Sequence, residues 1–151
     1  MTAAPALAPR PLSSATPPFA ALATAPALAR GHVQATLAGW GLGEFADPAQ
    51  TIASELASNA VQASAWVQDS AGSLVIRVCL ITDGDVLTIE VWDQAPGVPV
   101  LRAACADDEH GRGLSIVDGF TNGCWGSRPA IGQQGKCVWA EIPLHRAIPA
   151  G

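Results

Sequence analysis

Two hydrophobic periods divide this chain. The first is helical. From Thr24, a candidate N-cap, TAPALARGHVQATLAGW sets Leu28, Val33, Leu37 and Trp40 as an apolar series, weakened at Gly31 and broken by Gly41 and Gly43. A second helix is predicted from Asp47-Pro48, where the carboxylate can accept from unpaired amides and proline fits the first turn, to about Ser64. The pattern then changes to that of strands. SLVIRVCLI and DVLTIEVW are rich in β-branched residues, and Asp83-Gly84 between them is a tight-turn signal, so the two read as a hairpin. GLSIVDGF reads as a short helix with Leu114, Ile116 and Val117 toward the core, and GCWGS with KCVWAEIPL as a second hairpin closed by a glycine-rich loop. VPVLRAACADDEH, which precedes that short helix, has no period and is long for a connection, as a functional lid is. Helices first and antiparallel strands later predict a two-layer α/β (α+β) sandwich.

The ends read differently. Residues 1–18 form an Ala/Pro-rich stretch too poor in large apolar side chains to offset its ordering entropy, so a disordered tail is expected, with one folded domain over 19–145 and a frayed end at 146–151. At 151 residues the chain is long enough for one such domain and short for two.

Composition narrows the partners. Thirteen acids against eight bases give a formal net charge of −5, without any run of Lys or Arg, so direct nucleic-acid binding is not expected. Cys79, Cys105, Cys124 and Cys137 make no C-x-x-C pair and the three histidines stand apart, so zinc spacings are absent; Cys79 and Cys137 read as small core hydrophobes. No uninterrupted apolar run reaches membrane-spanning length, and the first residues lack the form of a secretory signal, which makes a cytoplasmic location without a membrane partner the expectation.

Four islands could carry chemistry. Glu55 and Asn59 in ELASNA are four apart, hence on one helical face, where they suit either a solvated polar stripe or a converging carboxylate and amide. Asp93 closes a strand in VWDQAPGVP and could be a turn cap or a ligand contact, with Gly97 between Pro96 and Pro99 allowing close approach to the backbone. In DEHGRGLSIVDGF, Gly111 and Gly113 could offer amides to an anion at a helix start, with Arg112 adding charge, although neither the dinucleotide fingerprint nor the P-loop spacing fits. GQQGKC also fails the P-loop pattern, leaving Lys136 as a phosphate contact or an ordinary hairpin-edge lysine.

The order of these islands is more specific than any one of them. ELxxNA in a helix, D-x-x-x-G after a strand, a lid, GRGLxIV, then W-G and G-K-x-V-W-A-E resemble the histidine-kinase-like ATPase superfamily, shared with gyrase and the ninety-kilodalton heat-shock chaperone, over residues 19 to 145. More narrowly, the chain resembles the anti-sigma-factor serine/threonine kinases of actinobacteria. The resemblance implies a Bergerat-type fold: a mixed, mainly antiparallel sheet with helices on one face and nucleotide held under the lid. It implies ATP and Mg²⁺ as cofactors, Asn59 as the magnesium ligand, Glu55 as general base, Asp93 as the reader of the adenine amino group, and Gly97, Gly111, Arg112, Gly113 and Lys136 as further nucleotide contacts. The implied partners are an anti-sigma-factor antagonist, a sigma factor, or both, and a second copy of the chain in a homodimer.

Two departures stand out. Ala95 replaces the first glycine of the D-x-G-x-G box, and Gln62, Ala63 and Ser64 stand where family members often carry basic or histidine residues. Three functions follow from these readings: a protein kinase acting on the antagonist, a nucleotide-regulated partner-binding switch without catalysis, and a superfamily fold that has lost nucleotide.

Overall fold

The computed structural model describes residues 11–67, 74–96, 109–132 and 134–145, with side chains left out at 66–67 and 109–114. Gly97 and most of the expected lid lie outside these residues. Along the described chain run β1 (Leu12–Ala15), β2 (Phe19–Ala20), α1 (Ala25–Gly39), a 3₁₀ turn (Gly43–Phe45), α2 (Ala46–Val67), β3 (Val75–Thr82), β4 (Val86–Asp93), α3 (Glu109–Thr121), β5 (Trp125–Pro129) and β6 (Lys136–Pro143). The strands form one sheet in the order β1-β3-β4-β6-β5, with β2 also paired to β3, and every pairing is antiparallel. This is the expected sandwich, and both hairpins are present.

Strand alternation defines the two faces. Ile76, Val78 and Leu80 on β3, Leu87, Ile89 and Val91 on β4, and Val138, Ala140 and Ile142 on β6 point to one side and are buried against the helices. α1 and α2 pack on each other, α2 crosses β4, and α3 rests on α2 and β6. From α2, Ile52, Leu56 and Ala60 enter the core as their spacing predicts. Leu56, at 1% exposure, is a measure of that packing: Leu56→Ala is expected to lower folding stability by about 2–5 kcal/mol, read by denaturant unfolding.

The structure corrects several details. On α1 the buried series is Ala25, Ala29, Val33 and Leu37, at a strict four-residue spacing, while Leu28 is 52% exposed. The alanines let α1 lie close to α2, a contribution that a search for large apolar residues passes over. Thr24 stands at the N-cap but makes no side-chain cap bond, and α2 begins at Ala46, directly after the 3₁₀ turn, so Asp47 falls in the first turn and not at the cap. On α3, Val117 is fully buried but Ile116 is 38% exposed, and the side chain of Leu114 is outside the described set.

The fold also begins earlier than Phe19. Leu12–Ala15, expected within a disordered tail, lie along β3 in register, with Ser14 opposite Leu80. Thr16 then takes part through both its amide, which donates to Val78 O at 2.9 Å, and its hydroxyl, which accepts from Val78 N at 3.1 Å. Pro17 and Pro18 follow, residues that cannot donate to the ladder. Apolar burial was the wrong criterion for this segment. It is held by backbone pairing that covers the edge of β3.

Candidate functional site

The rows of core residues on β4 and β6 end in charge. Register places Asp93 directly between Ile76 and Lys136, so alternation that buries Leu87, Ile89 and Val91 also turns the Asp93 carboxylate inward. Lys136, the first residue of β6, faces inward for the same reason, in one row with Val138, Ala140 and Ile142. Lys136 Nζ lies 3.0 Å from Asp93 Oδ1, with side-chain exposures of 7% and 1%. Asp93 Oδ1 also accepts from Ala95 N at 2.9 Å, and Lys136 Nζ donates to Ala95 O at 3.4 Å.

Asp93 is therefore both things that a strand-end aspartate can be. One oxygen closes the turn and pairs with the lysine. The other, Oδ2, is buried and has no hydrogen-bond partner among the described residues. A buried acceptor without a partner costs roughly 1–3 kcal/mol, more when charged, so such an atom marks a place where a donor belongs. Burial raises the Asp93 carboxyl above the ordinary aspartate value, and the bonds from Lys136 and Ala95 oppose that rise.

Ala95, the departure in the glycine box, is fully buried. Among the described residues the only non-glycine with positive φ is Asn122, so Ala95 occupies backbone that a Cβ tolerates without strain. Gly135 is the glycine this site requires. Its φ is +122°, and a Cβ built there would stand 2.1 Å from Asp93 O and 2.9 Å from Gln94 Cα. Sequence reasoning met Gly135 in the failed P-loop and in the G-K-x-V-W-A-E motif but gave it no role of its own; its place just before a strand lysine was the available signal.

The second group sits on α2. Glu55 and Asn59 are partly buried on the edge of the helix, beside the core residues Leu56 and Ala60. Asn59 Nδ2 is a further buried polar atom without a partner among the described residues, and so is the hydroxyl of Ser64 five residues on. Among the described residues no three His, Cys, Asp or Glu side chains form a metal-holding cluster. Two orphaned atoms nevertheless fit a magnesium nucleotide. Asp93 Oδ2 accepts, as an adenine amino group needs; the Asn59 amide can donate through Nδ2 to a phosphate while its oxygen serves a hard cation.

Gly111, Arg112 and Gly113 lie inside α3 and not ahead of it, because the helix starts at Glu109. An acid in the first turn favours that start. As in any α-helix, the amides of its first turn lack intrahelical acceptors. Lys136, weighed as a phosphate contact or an edge lysine, is buried and paired with Asp93.

The sheet face away from the helices is distinct in character. Arg77 and Arg128 flank the Trp92 ring at 5.8 and 5.2 Å from its centre, and Glu90 pairs with Arg128 and accepts from Trp92 Nε1 at 3.3 Å. Cys137, buried on this face, has its thiol pushed up to about 12 by burial, so it packs as a hydrophobe and is not a nucleophile at neutral pH. No helix among the described residues is long and apolar enough to cross a membrane.

The sheet thus carries an inward carboxylate at the end of its central strand, over a layer of helices on the same face. The family model described as Histidine kinase-like ATPase domain matches residues 19–142, and the chain belongs to that family. Comparison with curated proteins gave no match.

Proposed function

We propose that this chain is an anti-sigma-factor-type serine/threonine kinase, which binds Mg-ATP and phosphorylates a hydroxyl of an anti-sigma-factor antagonist. The observation that supports nucleotide binding best is the buried, partnerless Oδ2 of Asp93, held at the end of β4 by Lys136 and matched to a base amino group. Membership of the histidine kinase-like ATPase family supports ATP as the nucleotide.

In this reading Asp93 fixes the adenine end, and α2 supplies the groups for the phosphate end. Asn59 would hold Mg²⁺, which neutralises charge on the phosphates. Glu55, one helical turn before Asn59, orients the attacking serine or threonine hydroxyl and takes its proton. The hydroxyl oxygen bonds to the γ-phosphorus as the bridge between β- and γ-phosphate breaks, and ADP leaves. By the family resemblance, Gly97, Gly111, Arg112 and Gly113 would supply the remaining phosphate contacts from the lid side.

Glu55→Ala is expected to lower phosphoryl transfer by about 100- to 10,000-fold, with Mg-ATP affinity close to that of the wild type. The check is labelled-phosphate transfer to a purified antagonist domain beside a direct binding measurement. Undiminished transfer by the variant would remove Glu55 from the mechanism.

The positions after Asn59 support a second reading. Gln62, Ala63 and Ser64 bring no positive charge, and Ser64 is 2% exposed, so this turn of α2 adds no cation to the phosphates. A nucleotide-regulated switch that captures a sigma factor or another partner without transfer fits that feature. It predicts a stable complex and no phosphoprotein when protein, Mg-ATP and candidate partners are incubated together.

A further inference from the structure

Building on the adenine-nucleotide reading, we infer that Lys136 is a positioning residue that sets base selectivity: it holds Asp93 Oδ1 so that Oδ2 is presented as an ionised acceptor for an exocyclic amino group, against purines with a carbonyl there. The inference rests on the division of labour between the two carboxylate oxygens. Oδ1 takes two donors, Lys136 Nζ at 3.0 Å and Ala95 N at 2.9 Å, while Oδ2 is buried and takes none among the described residues. Lys136 is itself fixed. Its cross-strand register opposite Asp93, its second bond to Ala95 O at 3.4 Å and its 6% exposure leave the ammonium little freedom to serve another group.

The chemistry of the pair decides which base fits. An ionised carboxylate only accepts hydrogen bonds, whereas a protonated one also donates through its O–H. Burial alone favours the protonated form, as the upward displacement of the Asp93 carboxyl shows, and the lysine works against it. With Lys136 in place, Oδ2 suits the amino group of adenine and repels the carbonyl of hypoxanthine. Without the cation, a carboxyl in this dry site tends to keep its proton, and a neutral O–H at Oδ2 accommodates the carbonyl.

A single comparison tests this. The purified full chain and its Lys136→Met variant are titrated with the adenosine and the inosine forms of one non-hydrolysable triphosphate, each with Mg²⁺. The wild type should prefer the adenosine form, and Lys136→Met should reduce that preference by about tenfold or more, the size expected for a hydrogen bond to a charged group. Lys136→Arg, which keeps the cation, should restore it. A Lys136→Met variant that weakens both nucleotides by the same factor overturns the positioning role and leaves a structural one. Should Lys136→Met fail to fold by circular dichroism, Lys136→Gln carries the test, since its amide can donate without charge; a wild-type ratio in that variant overturns the inference. Wild type that takes neither nucleotide overturns the nucleotide reading together with the inference, whereas wild type that binds the adenosine form and a variant that keeps its ratio overturn the Lys136 role alone.

Discussion

Asp93→Ala is expected to lower folding stability by about 3–5 kcal/mol, the range for removing one partner of a buried ion pair. The loss comes from Lys136. Its ammonium is 7% exposed in the side chain and would keep only Ala95 O, at 3.4 Å, as a partner. Part of the destabilisation should therefore return in the double variant Asp93→Ala/Lys136→Met, which removes the uncompensated charge as well. Urea unfolding of the wild type and both variants checks this. A double variant no more stable than Asp93→Ala would show that the lysine was not the source of the cost.

Gly135→Ala should be nearly as severe, through the backbone. At φ +122° an L-residue is strained, which costs on the order of 1–3 kcal/mol, and the added methyl would meet Asp93 O at 2.1 Å. Because the obstructing atom is main chain and not the end of a flexible side chain, relief requires the ends of β4 and β6 to part. That movement would separate Asp93 from Lys136, so nucleotide affinity should fall together with thermal stability. Alanine at the nearby Gly132 offers a control: φ is +74° there, but no atom lies within 4 Å of the added methyl. If Gly135→Ala cost no more than Gly132→Ala, close approach to Asp93 would not be what this glycine serves.

The sheet was legible because its signals are local. β-branched runs on either side of Asp83-Gly84 could only pair as a hairpin, and Asp83 Oδ1 indeed accepts from the amides of Asp85 and Val86, both at 2.9 Å. The first strand was not legible, since LSSA carries neither bulk nor alternation and is held by the open edge of β3, a partner more than sixty residues away. Leu28 misled for a related reason: its size suggested the core, but the close approach of α1 and α2 selects alanine at positions 25 and 29.

The site shows the same division. Asp93 could be singled out as the polar end of an apolar strand, yet its partner depended on register, which only the folded sheet fixes, and so Lys136 was weighed as a phosphate contact or an edge lysine. Glu55 and Asn59 share a face by spacing alone; that Nδ2 of Asn59 is buried without a partner requires the packing of α2 against its neighbours. The GRG stretch was placed at the start of a helix; α3 instead begins at Glu109 and takes both glycines inside it, at a cost of about 1 kcal/mol each.

Titration calorimetry with Mg-ATP tests nucleotide holding at Asp93 most directly, comparing the wild type with the charge-balanced double variant Asp93→Ala/Lys136→Met. The wild type should give a saturable heat of binding, and the folded double variant should give none. Absence of binding by the wild type, or wild-type affinity in a variant that lacks the carboxylate, would contradict it.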